Sequence, residues 1–537
     1  MHACLKVDEI IRLIAREVVA SGAETTAVAL ACCCRDFEDP VLDPLWETQE
    51  NLLPLLRSLP GDIWNGSGCT VSATTACISS FPDAQLPAWK SFKRFPTTLE
   101  FTRFRKNAQR MRKFEENGAY NVLSPELFSV LQLCTISEPL FPHLKTLNLW
   151  GATGTLIPFI PLFLSPGTTT INISFFSPNP PNVMVASMVT AFWTLCPNLR
   201  TINLHNLPRD PMITAAVSGM LLTSNRNTLR SFRVDSPLME EACEVVYKLP
   251  DLRELSVVIE RDTSLPLVVL PSLTDLIVRC GRDGDLLRMF RGATLGRLEA
   301  VTFISGSEQT GDFLEAFGTL ALAVSAQNTL SRFYFYTPHP WIPNYLSLLP
   351  FTCLTHLVIE SSCDGDCSST VDDDAITHLA RAMPKLRTLY LGDTPCHEIP
   401  TGVTIKGLVI LANRCPDLSA LRIHFQVNSL STPPAVLGIA SEAGPIALQR
   451  DCALVELEVG EIPIQEESVL TVALTLARIF PRIKYIDHVD DEGWQKVLDA
   501  ICLSREIVDH SGEEHPLSAP RSNFSETFQG TTPEIGG

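Results

Sequence analysis

The stretch Pro142–Leu149, PHLKTLNL, has the form P-x-L-x-x-L-x-L and is repeated as PNLRTINL at Pro197–Leu204. Closely similar copies occupy six further stretches: Leu252–Val257, Leu273–Val278, Leu354–Ile359, Leu386–Leu391, Leu418–Ile423 and Leu454–Val459. Looser copies, in which other apolar or aromatic residues replace leucine, lie at Leu229–Val234, Leu298–Phe303, Leu330–Phe335, Ile483–Ile486 and Ile171–Ile173. This recurrence, roughly every 21 to 36 residues, predicts an array of structural repeats.

Each repeat predicts one strand followed by one helix. In L-x-x-L-x-L the last two apolar residues are two apart, so they fall on the same face of a β-strand. Between the strands, stretches such as Asp373–Met383 carry apolar residues at helical spacing, with acids at the start. Similar stretches are Val183–Cys196, Ile405–Cys415 and Ser468–Phe480.

This pattern resembles leucine-rich repeats. The predicted fold class is therefore α/β: a leucine-rich-repeat solenoid with parallel strands on the concave face and helices outside. The alternative is a doubly wound α/β domain, which also alternates strands and helices. The short spacing of the hexads and the lack of a glycine-rich phosphate loop favour the solenoid.

Composition narrows the class of protein further. The chain has 537 residues, of which 45% are hydrophobic and 19% charged, so it can bury large cores. Its net charge of −18 disfavours nucleic acid and anionic membranes as partners. The most apolar stretch, Thr155–Leu164, is shorter than the roughly 20 residues of a membrane span.

Cysteine usage and the first residues bear on the compartment. The 17 cysteines show no regular framework and include the run Cys32–Cys34, which suits a reducing compartment. Residues 1–9 lack the basic and apolar regions of a secretory signal. We therefore expect a cytoplasmic or nuclear protein that binds neither membranes nor nucleic acid.

The first residues, 1–60, predict a small helical module. Asp8–Arg16 has the pattern of an amphipathic helix, and Thr26–Cys34 that of a second, apolar one. A short segment then ends in Asp43-Pro44-Leu45-Trp46. These residues resemble the F-box, in which Pro-x-Glu-Ile/Leu opens the module, Val-Cys-Lys-x-Trp ends a helix and Leu-Trp closes it. The matching residues are Glu9, Ile10, Cys33, Cys34, Arg35, Phe37, Leu45 and Trp46. Val7 stands where the family usually has Pro, and Phe37 where it has Trp.

The resemblance implies a scaffolding function. F-box modules dock on the Skp adaptor of cullin-based ubiquitin ligases, and attached repeats bind the protein to be ubiquitinated. The implied adaptor-binding residues are Val7, Glu9, Ile10, Ile14, Leu30, Cys33, Cys34, Phe37, Leu45 and Trp46. We expect Leu45 and Trp46 to be buried against Ile10, Ile14 and Leu30 or to lie at the adaptor surface. The alternatives are a plain helical cap on the solenoid, and a leucine-rich-repeat scaffold or inhibitor with no ligase link.

Residues 61–135 are interpreted as a linker and a connecting basic helix, 136–504 as the solenoid and 505–537 as a disordered tail, with a long loop at 428–445. From Thr98 to Phe114 apolar residues recur at helical spacing opposite basic ones. The basic residues are Lys90, Lys93, Arg94, Arg103, Arg105, Lys106, Arg110, Arg112 and Lys113. A site for an anionic partner is one interpretation. A connecting helix packed on the first repeat, with a solvated basic face, is the favoured one.

No catalytic motif is present, so no enzyme activity and no cofactor are predicted. The stretch Cys363–Cys367, followed by Asp372–Asp374, could offer thiolates and carboxylates to a metal. It lacks the second Cys or His pair of a zinc site and the bidentate Glu of a calcium loop. We therefore predict a solvated loop there and no metal.

The residues flanking the last two apolar positions of each hexad are expected on the concave face. In the first repeats, such as those with Asn148 and Asn203, they are interpreted as ordinary polar surface. Tyrosine and arginine are enriched at protein-binding hot spots, and they gather in the later repeats. The predicted target-binding residues are Arg332, Tyr334, Tyr336, His356, Val358, Tyr390, Arg422 and His424. The alternative is that aromatic residues stand there through β-propensity alone.

Overall fold

The computed structural model describes most of the chain in segments. These are residues 7–64, 92–116, 125–135, 139–152, 156–175, 180–222, 228–259, 267–281, 283–306, 317–321, 329–337, 345–361, 371–392, 402–427, 440–441, 444–445, 452–460, 464–488 and 492–509. All structural statements below concern these residues. The predicted tail therefore lies almost wholly outside the described residues, as does most of the 428–445 loop.

A single sheet of fifteen parallel strands runs the length of the molecule, and its strands neighbour one another in chain order. Its strands are β1 (Thr48–Gln49), β2 (Lys113–Glu116), β3 (Thr146–Ala152), β4 (Thr170–Phe175), β5 (Thr201–His205), β6 (Ser231–Pro237), β7 (Glu254–Ile259), β8 (Asp275–Cys280), β9 (Ala300–Ser305), β10 (Arg332–Thr337), β11 (His356–Ser361), β12 (Thr388–Leu391), β13 (Ala420–Ile423), β16 (Glu456–Gly460) and β17 (Tyr485–His488). A separate antiparallel pair consists of β14 (Ala440–Ser441) and β15 (Gly444–Pro445). A doubly wound sheet reverses its strand order at a switch point, so this order favours a solenoid-like array and confirms the α/β prediction.

The apolar positions of the hexads form rows across the sheet. Leu147 pairs in register with Ile171, and Ile171 with Ile202. Each of these residues is fully buried, and the same core row continues to the last strands. One hydrophobic core extends from Leu52 to Ile501. Truncating a leucine in such a core to alanine typically costs about 2–5 kcal/mol.

Helices follow most of the strands. The first three are α1 (Asp8–Ala20), α2 (Glu24–Cys33) and α3 (Arg35–Glu47). The further α-helices are Leu53–Leu56, Thr98–Ala108, Pro125–Cys134, Asn182–Leu195, Pro211–Leu222, Glu240–Val246, Asp283–Phe290, Asp373–Ala382, Ile405–Arg414, Val469–Ile479 and Glu492–Asp509. Short 3-10 helices are Gly61–Ile63, Ile157–Phe163, Tyr345–Leu348 and Glu466–Ser468. No helix in the described ranges is long and apolar enough to cross a membrane.

Helices α1 to α3 form a small module with its own core, made by Ile11, Ala15, Ala27, Ala31, Phe37 and Val41. The sequence predicted α1 and α2, but only a short segment where α3 lies. Two prolines, Pro40 and Pro44, stand inside α3 and leave two carbonyls without their helical donors. The helix continues through them because Phe37, Pro40, Val41 and Pro44 share one buried face.

The sheet begins before residue 136, where the sequence placed the start of the solenoid. Strand β2 pairs with β1 on one side and with β3 on the other. The expected helix over Thr98 to Phe114 is therefore wrong beyond Ala108. Phe114 pairs with Leu147 in the core row, so its burial in the sheet overrides the helical spacing of the local sequence.

Candidate binding surfaces

The open face of the long sheet is the side turned away from the core, and side chains reach it at every second strand position. In β10, Phe333 and Phe335 are buried in the core. Their neighbours Arg332, Tyr334 and Tyr336 lie on the open face. Because the strands are parallel and in register, open-face residues of adjacent strands form rows across the sheet.

The register brings four of the predicted target-binding residues into one such row. Tyr334 pairs with Val358, and Val358 pairs with Tyr390. Arg422 follows on the next strand, paired with Tyr390. The two tyrosines and the arginine are half-buried, whereas Val358 is only 4% exposed. Val358 therefore offers little of its surface to a partner.

The other predicted target-binding residues flank this row. Arg332 is exposed and pairs with the half-buried His356. Burial, helped by the positive charge of Arg332, lowers the pKa of His356 below its ordinary value. Tyr336 pairs with Glu360, and burial raises the pKa of Tyr336 to about 12. His424 follows the end of β13 and is half-buried. The predicted residues thus lie on neighbouring strands of one surface.

Arg422 lies at the centre of a cluster of charged and aromatic side chains. Its guanidinium carbon is 4.7 Å from the centre of the Tyr390 ring. Its Nη1 donates to Glu360 Oε1 at 3.0 Å, and its Nε is 2.5 Å from Glu458 Oε2. Glu458 is 8% exposed, and burial raises its pKa although Arg422 acts to lower it. Neither carboxylate was among the predicted target-binding residues, because their contacts with Arg422 depend on pairing across the sheet.

Beyond Arg422 the open face becomes acidic. Glu456, Tyr485 and Asp487 are exposed. Glu456 pairs in register with Tyr485, and Glu458 with Asp487. These residues also escaped the sequence analysis, although the alternation in VELEVG at 455–460 places both glutamates on the open face.

The first repeats carry a closed ladder of hydrogen bonds on the open face, in place of the ordinary polar surface expected there. Asn148 Nδ2 donates to Glu115 Oε1 at 2.8 Å, and Asn172 Nδ2 to Asn148 Oδ1 at 2.7 Å. Asn203 Nδ2 donates to Asn172 Oδ1 at 2.7 Å. Because these groups satisfy one another, this part of the face has few hydrogen-bonding groups left for a partner.

Ser174, His205 and Asp235 lie on consecutive strands, β4 to β6, and together have the residue types of a hydrolytic triad. Ser174 Oγ accepts from Asn206 Nδ2 at 3.5 Å, and no hydrogen bond joins it to His205 among the described residues. Burial acts to raise the pKa of Asp235, but the contacts with His205, whose Nδ1 is 3.7 Å from Oδ2, and with Arg279 lower it to about 2. A carboxylate held by an arginine in this way favours a structural polar network over a triad.

The predicted adaptor-binding residues divide by burial. Four of them are exposed: Val7, Glu9, Ile14 and Cys33. Five are half-buried: Ile10, Leu30, Cys34, Leu45 and Trp46. Phe37 is buried. Leu45 and Leu30 pack against the module core, whereas Ile14, one of the residues expected to cover Leu45, is exposed. Trp46 instead packs against the core of the repeats, because α3 leads directly into β1.

The module also exposes two apolar residues that were not predicted to bind the adaptor, Leu13 (60% exposed) and Val28 (47% exposed). The predicted residue Ile14 is 40% exposed. Ile10, Leu13 and Ile14 are three and four residues apart, so they share one face of α1. The opposite face, with Ile11 and Ala15, fills the module core.

Most of the basic side chains in the connecting stretch have partners within the chain. Arg110 pairs with Asp39 and Asp43, and its side chain is only 8% exposed. Lys106 Nζ is 2.9 Å from Glu38 Oε1. Hydrogen bonding to Arg110 lowers the pKa of Asp39. Lys106 and Arg110 therefore bind acidic residues of α3, and Arg94 pairs instead with Asp62 and Glu100. Lys90 lies outside the described residues.

The aspartates after the Cys363–Cys367 stretch cap helices. Asp372 Oδ1 accepts from the backbone N–H of Ala375 at 2.8 Å. Asp373 accepts from the N–H groups of Thr404 and Gly407 at 2.8 and 3.0 Å. Residues 363–367 lie outside the described residues. Where the structure is described, no group of three His, Cys, Asp or Glu side chains is placed to hold a metal.

The module and the later part of the open face thus each offer exposed side chains to a partner: apolar ones on the module, aromatic and charged ones on the open face. What they could bind is inferred from their own chemistry. No protein-family model matches the chain, and no curated protein matches it.

Proposed function

We propose that this chain is the substrate-recognition subunit of an SCF-type ubiquitin ligase and acts by binding proteins, not by catalysis. The N-terminal module docks on a Skp-type adaptor, and the open face of a leucine-rich-repeat solenoid holds the target protein. The cullin and its partners in the ligase then supply the ubiquitin transfer. The chain itself needs no catalytic group or cofactor for this function.

The observation that carries the proposal is the apolar face left exposed on a module that already has a core of its own. Leu13, Ile14 and Val28 are all at least 40% exposed. They stand on helices whose opposite faces fill that core. Large apolar side chains left exposed on a small module in this way are typical of a protein-binding surface.

A second feature supports simultaneous binding of an adaptor by the module and a target by the open face. Arg110, on the repeat side, pairs with Asp39 and Asp43 of α3, and Trp46 packs against the repeat core. These contacts fix the module on the first repeat. An adaptor held by the module would therefore stay in a constant position relative to a target on the open face.

The test replaces the exposed apolar residues of the module in the full-length chain. Leu13→Ser combined with Val28→Ser should weaken binding of a purified Skp-type adaptor by at least about tenfold, because anchors at a docking surface carry much of its energy. Binding is measured by calorimetry. Melting should stay unaltered, since both side chains point to solvent.

The matched control is Leu470→Ser with Val183→Ser, which removes the same residue types at sites 63% and 61% exposed on helices of the repeats. It should leave adaptor binding unchanged. Equal adaptor binding by all three proteins would reject the ligase proposal.

One observation favours a second candidate, a repeat scaffold or inhibitor without a ligase link. The ion pairs and Trp46 also make the module a cover for the first strands, whose apolar edge a solenoid must shield. In that case the module variant would bind targets normally and the native protein would bind no adaptor.

A further inference from the structure

The open face of the last five strands of the long sheet combines aromatic rings with carboxylates. These strands are β11, β12, β13, β16 and β17, and Arg422 is their only lysine or arginine. We call this the acidic-aromatic surface. It is formed by Glu360, Tyr390, Arg422, Glu456, Glu458, Tyr485 and Asp487.

Arg422 indicates which side chains this surface accommodates. Its guanidinium lies over the Tyr390 ring and contacts Glu360 and Glu458. An aromatic ring on one side and carboxylates around the edge are the contacts by which proteins hold cationic side chains. The fold thus already holds one arginine in this way.

Beyond Arg422 the same groups are present without a cation. Glu456 and Asp487 are exposed, and neither forms an ion pair with any residue that the structure describes. Both lie next to Glu458: Glu456 is two residues before it in β16, and Asp487 pairs with it across the sheet. Tyr485 is 64% exposed and pairs with Glu456. These three side chains thus offer the same kinds of contact as those around Arg422, but without a cationic side chain between them.

We propose that the acidic-aromatic surface binds a basic, extended segment of the target protein, with a lysine or arginine of that segment between Glu456, Tyr485 and Asp487. This inference rests on the proposed function and specifies its target class. Charge complementarity supports it, because the chain as a whole carries a net charge of −18. The same carboxylates repel acidic and phosphorylated segments, which are therefore excluded as occupants.

The test uses the full-length chain and a fluorescein-labelled peptide of alternating arginine and serine, with anisotropy as the measurement. Glu456→Gln combined with Asp487→Asn should weaken peptide binding by about tenfold or more, since two carboxylates next to the bound cation are lost. The matched control is Glu240→Gln with Glu241→Gln, which removes two exposed charges from the helix Glu240–Val246. The control should stay within about twofold of the native protein.

Equal weakening by both variants would mean that the peptide responds only to net charge, and it would overturn the inference. Tighter binding of a peptide with phosphoserine in place of arginine would also overturn it. Adaptor binding is measured on the same preparations. If it is intact while the peptide fails to bind, the inference fails and the ligase proposal stands. The Leu13→Ser and Val28→Ser variant should lose adaptor binding. Its affinity for the peptide should equal that of the native protein.

Discussion

At the scale of single residues, Glu116 occupies a position that its neighbours in the sheet fill with apolar side chains. It pairs in register with the fully buried Leu149, and burial raises its pKa to about 7 from an ordinary value of 4.5. Between these two values the folded protein binds more protons than the unfolded one. Stability therefore falls as pH rises through this window.

Glu116→Gln should remove this decrease in stability with rising pH. At pH 8 the variant should be more stable than the native protein by at most about 3 kcal/mol, and at pH 4 the two should be alike. Denaturant unfolding at both values measures the difference, with the exposed Glu240→Gln as control. Parallel pH profiles of the native protein and the Glu116→Gln variant would contradict the assignment.

At the scale of elements, two successive helices, Asp373–Ala382 and Ile405–Arg414, are joined through their first turns. Asp373, in the helix Asp373–Ala382, accepts hydrogen bonds from Thr404 and Gly407 at the start of the helix Ile405–Arg414. A Cβ on Gly407 would lie 2.8 Å from Asp373 Oδ1. One carboxylate therefore satisfies donors of the next repeat.

Asp373→Ala should destabilise the protein by about 1–3 kcal/mol, because buried backbone donors lose their acceptor. Asp374→Ala, at the exposed next position, should change stability by less than about 0.5 kcal/mol. Thermal unfolding of the two variants provides the comparison. Equal losses would show that Asp373 acts only through the charge that both residues share.

At the scale of the whole molecule, every strand of the long sheet pairs only with its neighbours in the order of the chain. The free energy of unfolding is therefore approximately a sum of contributions from adjacent repeats.

The helix Glu492–Asp509 closes the far end and buries Trp494 completely, edge-on to Phe425. Trp494→Ala should cost about 3–5 kcal/mol, and hydrogen exchange should place the loss in the last repeats. Trp150→Ala, at a ring 46% exposed, is the control. Faster exchange along the entire chain would contradict this local response.

Much of this architecture could be predicted from the sequence, because the hexads mark the buried positions that define the strands. Strand β1 has only two residues, too few for any periodicity. Helix α3 escaped prediction because its prolines disfavour a helix locally, while its buried face stabilises it. Glu458 escaped because only its neighbours across the sheet, Arg422 and Asp487, give it a role. Such pairings join residues distant in sequence, and the repeat pattern does not specify their chemistry.

The asparagine ladder has a direction. Each amide donates toward the preceding strand, and the row ends on the carboxylate of Glu115. Ser231 Oγ lies at the other end, 3.5 Å from Asn203 Oδ1. Dipoles aligned head to tail reinforce one another, so no single amide can flip without breaking bonds on both sides. All the amides of the row therefore share one preferred orientation, which the carboxylate of Glu115 fixes at one end.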